Sequence, residues 1–214
     1  MSRTTAPLLS FGASGQIAKT QVYSTWKGRP YVRRYAIPSN PNTVDQQETR
    51  NTFSWLNAVW KYMPAGALDA WNAYATASRF TARNGFIKQN LSNLRSASDL
   101  SDFLMSPAAG GGLVAAGISV TPGAGQLTVT LTAPGLPTGW TISKAIAAAL
   151  RQQDPQSGVL YTVSSAEDAT APYAPIITGL TASQVYVVGA WFEYIKPDGT
   201  FAYGPALMST GTPS

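Results

Sequence analysis

The chain has 214 residues, 44% of them hydrophobic and only 12% charged, with a net charge of +5 and neither cysteine nor histidine. Without those two residue types, disulfides, thiolate nucleophiles, Ser-His-Asp or Cys-His hydrolysis and Cys- or His-ligated metal centres are excluded. A chain so poor in charge is expected to cover much of its surface with partners.

The charge is unevenly spread. Residues 1–104 hold twelve Lys/Arg against five Asp/Glu, giving +7, and residues 105–214 hold three against five, giving −2. Residues 1–39 carry six basic residues and no acid. Two modules with different tasks are expected.

The N-terminal stretch 24-STWKGRPYVRRYAIPSNPNT-43 interleaves cations with aromatics. Alternation over residues 16–37 predicts two strands joined at Lys27-Gly28-Arg29, where glycine suits a tight turn. Pro30 falls at the start of the second strand, where a missing N–H matters least. A lone hairpin is marginal in water, so it is expected to lie on something. Pro38 and Pro41 keep 38-PSNPNT-43 extended.

Thr43 followed by Gln46 reads as a capping box opening a helix near Val44. Phe53, Leu56, Val59, Trp60 and Met63 form its apolar stripe, and Pro64 ends it. Leu68, Trp71 and Tyr74 predict a second helix. Phe86, Ile87, Leu91 and Leu94 predict a third, after Asn84-Gly85. The stretch 106-SPAAGGGLVAAG-117 reads as a linker, or as a place where backbone packs closely on a partner.

Beyond it the period changes. Leu127, Val129 and Leu131 alternate with threonines as in a half-buried strand, and Trp140 to Ala147 can follow as another, although KAIAAAL alone favours helix. A strand is expected from Val185 to Tyr194, then a Pro197-Asp198-Gly199 turn and a last strand at Thr200–Tyr203. The expected fold is α+β in two parts. A basic arm and β-hairpin (1–42) and a small helical bundle (43–105) precede a linker (106–116) and an all-β immunoglobulin-like sandwich (117–214).

Two resemblances extend this. Leu180 and Tyr186, the P-D-G turn and 203-YGPA-206 resemble the late strands of a fibronectin type III or immunoglobulin-like module, in which such a leucine and tyrosine form the tyrosine corner. The core tryptophan usual on the second strand of that family is absent from 126-QLTVTLTAP-134. The first half, over about residues 10–95, resembles an uncharacterised family of tailed-phage structural proteins. The matching residues are Gly15, Trp26-Lys27-Gly28-Arg29, Tyr31-Val32-Arg33, Pro38, Asn40-Pro41-Asn42-Thr43, Gln46, Arg50 and Trp71. That resemblance implies a virion setting, after manufacture in the host cytoplasm, and no catalytic chemistry.

Trp26, Lys27, Arg29, Tyr31, Arg33, Arg34 and Tyr35 are the candidate docking residues. Arginines engaging carboxylates on major capsid or other virion proteins is the preferred reading, with contacts between copies expected. The same residues could bind phosphates and stack on unpaired bases, so nucleic acid stays open as an alternative partner. Trp55, Trp60 and Trp71 could line a ligand site but are expected in a core or interface. Glu167-Asp168 and Asp154, placed in loops by composition, are the remaining catalytic equipment, and no cleft-forming pattern accompanies them. Exposed Tyr161, Tyr173 and Tyr203 could serve glycan recognition. No enzyme activity, cofactor or metal is expected. With no apolar run long enough for a transmembrane helix or a signal-peptide core, no membrane association is expected either. The expected role is capsid decoration and stabilisation, with a neck or tail component as the alternative.

Overall fold

The computed structural model describes residues 2–3, 14–37, 39, 42–76, 80–95, 97–157, 159, 161 and 163–214. Pro38, Asn40 and Pro41, on which the extended exit of the hairpin was expected, lie outside them. The chain forms two compact units, residues 1–42 and 43–214.

The first unit is a four-stranded antiparallel sheet. It contains β1 (Ser2–Arg3), β2 (Gly15–Ile17), β3 (Gln21–Trp26) and β4 (Arg29–Arg34), in the order β1-β4-β3-β2. Alternation and the turn signal produce the central hairpin, whose last pair is Trp26 with Arg29. The turn is therefore two residues, Lys27 (φ 48°) and Gly28 (φ 74°), and Arg29 belongs to the strand. Positive φ at both positions gives the primed turn whose twist matches that of paired strands. No described side chain of residues 14–42 is fully buried.

In the second unit, α1 (Val44–Trp60), α2 (Ala65–Thr76) and α3 (Ala82–Leu94) precede the strands. Helix α1 starts where expected, but the Thr43 side chain makes no capping bond; Gln46 N–H and Gln47 N–H donate to its backbone oxygen instead. The capped helix is α3, where Thr81 Oγ1 accepts from Asn84 N–H at 3.3 Å, so Asn84-Gly85 lies inside the first turns rather than before them. Phe53, expected in the α1 stripe, is exposed, while Trp55, Leu56, Val59 and Met63 are buried.

Eight strands follow among the described residues: β5 (Gly117–Gly123), β6 (Gln126–Thr132), β7 (Thr141–Arg151), β8 (Ser164–Asp168), β9 (Ile176–Ile177), β10 (Tyr186–Ile195), β11 (Phe201–Tyr203) and β12 (Leu207–Gly211). One antiparallel sheet runs β5-β6-β9, and the other runs β11-β10-β7-β8 with β12 also on β10. They form an immunoglobulin-like sandwich. Ala145, Ala147, Ala149, Val188, Ala190, Phe192 and Tyr194 share the inter-sheet core with Leu127, Val129 and Leu131. The tyrosine corner forms, with Thr181 N–H donating to Tyr186 Oη at 3.0 Å.

The opposite face of the larger sheet is covered by the helices. Ile146, Ala148, Leu150, Val187 and Trp191 share one core with Trp55, Leu56, Trp71 and Phe86. Helices and sandwich therefore belong to one packed unit of three layers, not to two bodies joined by a spacer. The segment expected as a linker is tied down at its start and at its glycines. Trp71 Nε1–H donates to Met105 O at 2.9 Å, Ser106 Oγ–H donates to Gly204 O at 2.7 Å, and Gly112 N–H donates to Tyr203 O at 2.9 Å. Gly110 and Gly112 pack closely on backbone, but on Tyr203 of the same chain and not on a partner.

Candidate functional site

Register decides which N-terminal residues share a face, because directly paired antiparallel residues point to the same side and neighbours along a strand point to opposite sides. Val22 pairs with Arg33, Ser24 with Tyr31 and Trp26 with Arg29, while Gln16 pairs with Val22. Trp26, Arg29, Tyr31 and Arg33 thus occupy one face. Ile17, Tyr23, Pro30, Val32 and Arg34 occupy the other.

The seven docking candidates are therefore not one surface. Four share a face and Arg34 lies on the opposite one. Lys27 sits in the turn with its Nζ 5.0 Å from the centre of the Trp26 ring. Tyr35 follows β4, its N–H donating to Thr20 O at 2.8 Å.

Trp26 is 66% exposed, and Tyr31 is half-buried. Arg29 and Arg33 flank Tyr31 on the same strand, about 13–14 Å apart along it at the usual strand rise. With six basic residues and no acidic one in residues 1–42, no carboxylate inside the unit can neutralise them. The arrangement on this face is a chequerboard of cations and rings. It can accept carboxylates or phosphates at the guanidinium groups and a flat apolar or π surface on Trp26.

The acidic residues singled out as catalytic equipment have structural partners. Glu167-Asp168, expected in a loop, lies in the edge strand β8, which pairs Ile146 with Glu167 and Ala145 with Asp168. Lys144 Nζ lies 2.7 Å from Glu167 Oε2 and 4.0 Å from Glu193 Oε2. The bond to Glu167 raises the Lys144 pKa above its ordinary value. Glu193, which is 6% exposed, accepts from Ser143 Oγ–H at 2.7 Å. Asp168 accepts from Thr170 N–H and Ala174 N–H, and these bonds, Thr170 first, hold its carboxyl below the usual range. Asp154 accepts from Gln156 N–H at 2.7 Å. Each carboxylate folds its own turn or ties strands together.

Trp55 and Trp71 are core residues and Trp60 packs against the same core. Tyr203, expected on the surface, is 6% exposed; burial, with Glu193 next in importance, pushes its phenol far up. Tyr161 and Tyr173 are half-buried. Among the described residues no group of three or more His, Cys, Asp or Glu is placed to hold a metal ion, and no helix is long and apolar enough to cross a membrane.

No protein-family model matches the chain, and no curated protein matches it. A solved myokine structure is similar at 14% identity, over 48% of this chain and 98% of that one, with a TM-score of 0.35. A computer-redesigned β-sandwich protein is similar at 17% identity, over 45% of this chain and 85% of that one, with a TM-score of 0.32. The sandwich is defined by its own strand pairing, independently of these likenesses.

Proposed function

We propose that the protein is a non-enzymatic structural component of a tailed-phage virion. It decorates and stabilises the capsid, docking through the Trp26/Arg29/Tyr31/Arg33 face of its N-terminal sheet onto acidic protein surface. The observation that carries this is a four-stranded sheet with no fully buried described side chain, no acid of its own and an exposed tryptophan. Such a sheet gains its missing buried area from an occupant, and its charge selects an anionic one. The resemblance of WKGRPYVRR and PSNPNT to phage structural proteins supplies the setting. A second copy of the same sheet is a poor occupant, since both would be cationic.

Single-stranded nucleic acid is the second reading, favoured by the exposure of Trp26 beside two arginines. Binding of the full chain to purified capsids and to a labelled oligonucleotide, across a salt series, separates the two. The docking reading expects capsid binding that Arg29→Glu/Arg33→Glu abolishes. Tight oligonucleotide binding with a steep salt slope, and none to capsids, overturns it. Copy number per particle by mass spectrometry distinguishes decoration from a neck or tail position.

A further inference from the structure

Helices α1 and α3 leave an open groove of about 420 Å³ between them, lined by Phe53 and Asn57 from α1 and by Arg83, Asn84, Ile87 and Lys88 from α3. Phe53 is 47% exposed and Ile87 9%, so the groove pairs an accessible aromatic ring with a mostly buried aliphatic side chain. The two helices are braced across it. Arg83 Nε–H donates to Asn57 Oδ1 at 3.1 Å and Arg83 Nη2–H donates to the same oxygen, while Asn57 Nδ2–H donates to Phe53 O at 2.7 Å. The Arg83 guanidinium is thereby held in place with N–H groups to spare.

The charge here has one sign. Arg83 and Lys88 are exposed, and neither has an ion pair among the described residues. Residues 50–63 contain Arg50 and Lys61, residues 82–98 contain Arg83, Lys88 and Arg95, and neither stretch contains Asp or Glu. A cationic groove without counter-charge favours an anionic occupant. The Phe53 ring favours one that also brings an apolar side chain to cover it. A second copy presenting the same face would set Arg83 and Lys88 against their own charge, which disfavours it.

We propose that the α1–α3 groove docks an acidic amphipathic helix of a partner protein. An apolar side chain of that helix covers Phe53 and Ile87, one carboxylate accepts from the spare N–H groups of Arg83, and a second pairs with Lys88. Arg83 and Lys88 are five residues apart on α3, a rise of about 7.5 Å. Glutamates one turn apart on a partner helix, with Cβ atoms about 5–6 Å from each other, match that spacing through side chains of this length. This surface is separate from the N-terminal sheet and does not rest on the virion reading.

The test is fluorescence anisotropy on the full chain carrying Arg29→Gln/Arg33→Gln, so that the N-terminal sheet does not compete for the probe. The probe is a labelled helical peptide with leucines along one face flanked by glutamates. It is expected to bind with a Kd of about 10–100 μM. Counterparts with glutamine for glutamate, or serine for leucine, should bind at least about tenfold more weakly. Added to that chain, Arg83→Glu, Lys88→Glu and Phe53→Ser should each weaken the glutamate peptide at least about tenfold. Far-UV circular dichroism confirms that each variant is folded. Lys88→Glu and Phe53→Ser carry the test if Arg83→Glu, which breaks the brace to Asn57, does not fold. No binding of the glutamate peptide, equal binding of either counterpart, or unchanged affinity in a folded groove variant each overturns the proposal, as does a labelled oligonucleotide bound more tightly than the peptide.

Discussion

Gly112 donates its N–H to the Tyr203 oxygen at 2.9 Å, and a Cβ on Gly112 would lie 2.5 Å from the Tyr203 carbonyl carbon. The obstruction is backbone, which cannot rotate away. Gly112→Ala should therefore lower unfolding free energy by about 1–3 kcal/mol. Gly111 has open space around it but φ of 77°, so Gly111→Ala should cost roughly 1–2 kcal/mol through backbone strain alone. Urea titration of both variants checks this. A free spacer would tolerate both changes without loss.

Ile146 is fully buried on the helix-facing side of β7, and its Cδ1 would lie 2.8 Å from a Cβ on Gly66. Helix α2 thus rests directly on the sheet. Ile146→Ala should cost about 2–5 kcal/mol. Helix content by circular dichroism and tryptophan fluorescence should also fall in one coincident transition, with or without the substitution. Two separated transitions would count against a shared core.

Tyr194 is fully buried, and its hydroxyl donates to Leu113 O at 3.0 Å. Burial pushes its phenol up to about 12 from an ordinary value of 10.0. Between those values the folded chain holds a proton that the unfolded chain has lost, so stability should fall as pH rises through that window. Tyr194→Phe should cost roughly 0.5–1.5 kcal/mol at neutral pH. It should also shrink the alkaline fall, leaving a remainder to which Tyr203 contributes. Urea titrations at pH 7 and near pH 11 measure both effects.

Trp26 is 66% exposed, so Trp26→Ala should change the stability of the free protein by less than about 0.5 kcal/mol. Under the docking proposal, binding to capsids should nevertheless weaken at least about tenfold. A stability loss well beyond that small figure would mean the ring packs within its own unit and serves folding instead.

How far these features could be read from residue order depends on what each element packs against. The hairpin and the strands around Leu127 and Val187 follow from local pattern and turn chemistry, and the tyrosine corner from the resemblance to immunoglobulin-like modules. The start of α1 falls where expected, although Thr43 caps it through its backbone oxygen and not its side chain. The helix–sheet layer does not follow from local pattern, since alternation marks a strand with one wet face. Yet β10, YVVGAWFEYI, is buried at nine of its ten positions, and KAIAAAL in β7 is apolar on both sides for the same reason. Near-continuous apolar strands signal cover on both faces. Of the alanines that favour helix in isolation, Ala145 pairs with Phe192, and Ala145, Ala147 and Ala149 share the inter-sheet core with Phe192 and Tyr194. Within the N-terminal sheet, residue identities were legible, but the division into two faces required the register.

The want of a buried side chain in the described N-terminal sheet has a bearing on timing. A fold completed by its occupant is stabilised in proportion to how much occupant is present, by mass action. If the sheet docks as proposed, it would be less stable in a dilute pool of free chains than on an occupied surface, so docking and completion of this fold would be coupled.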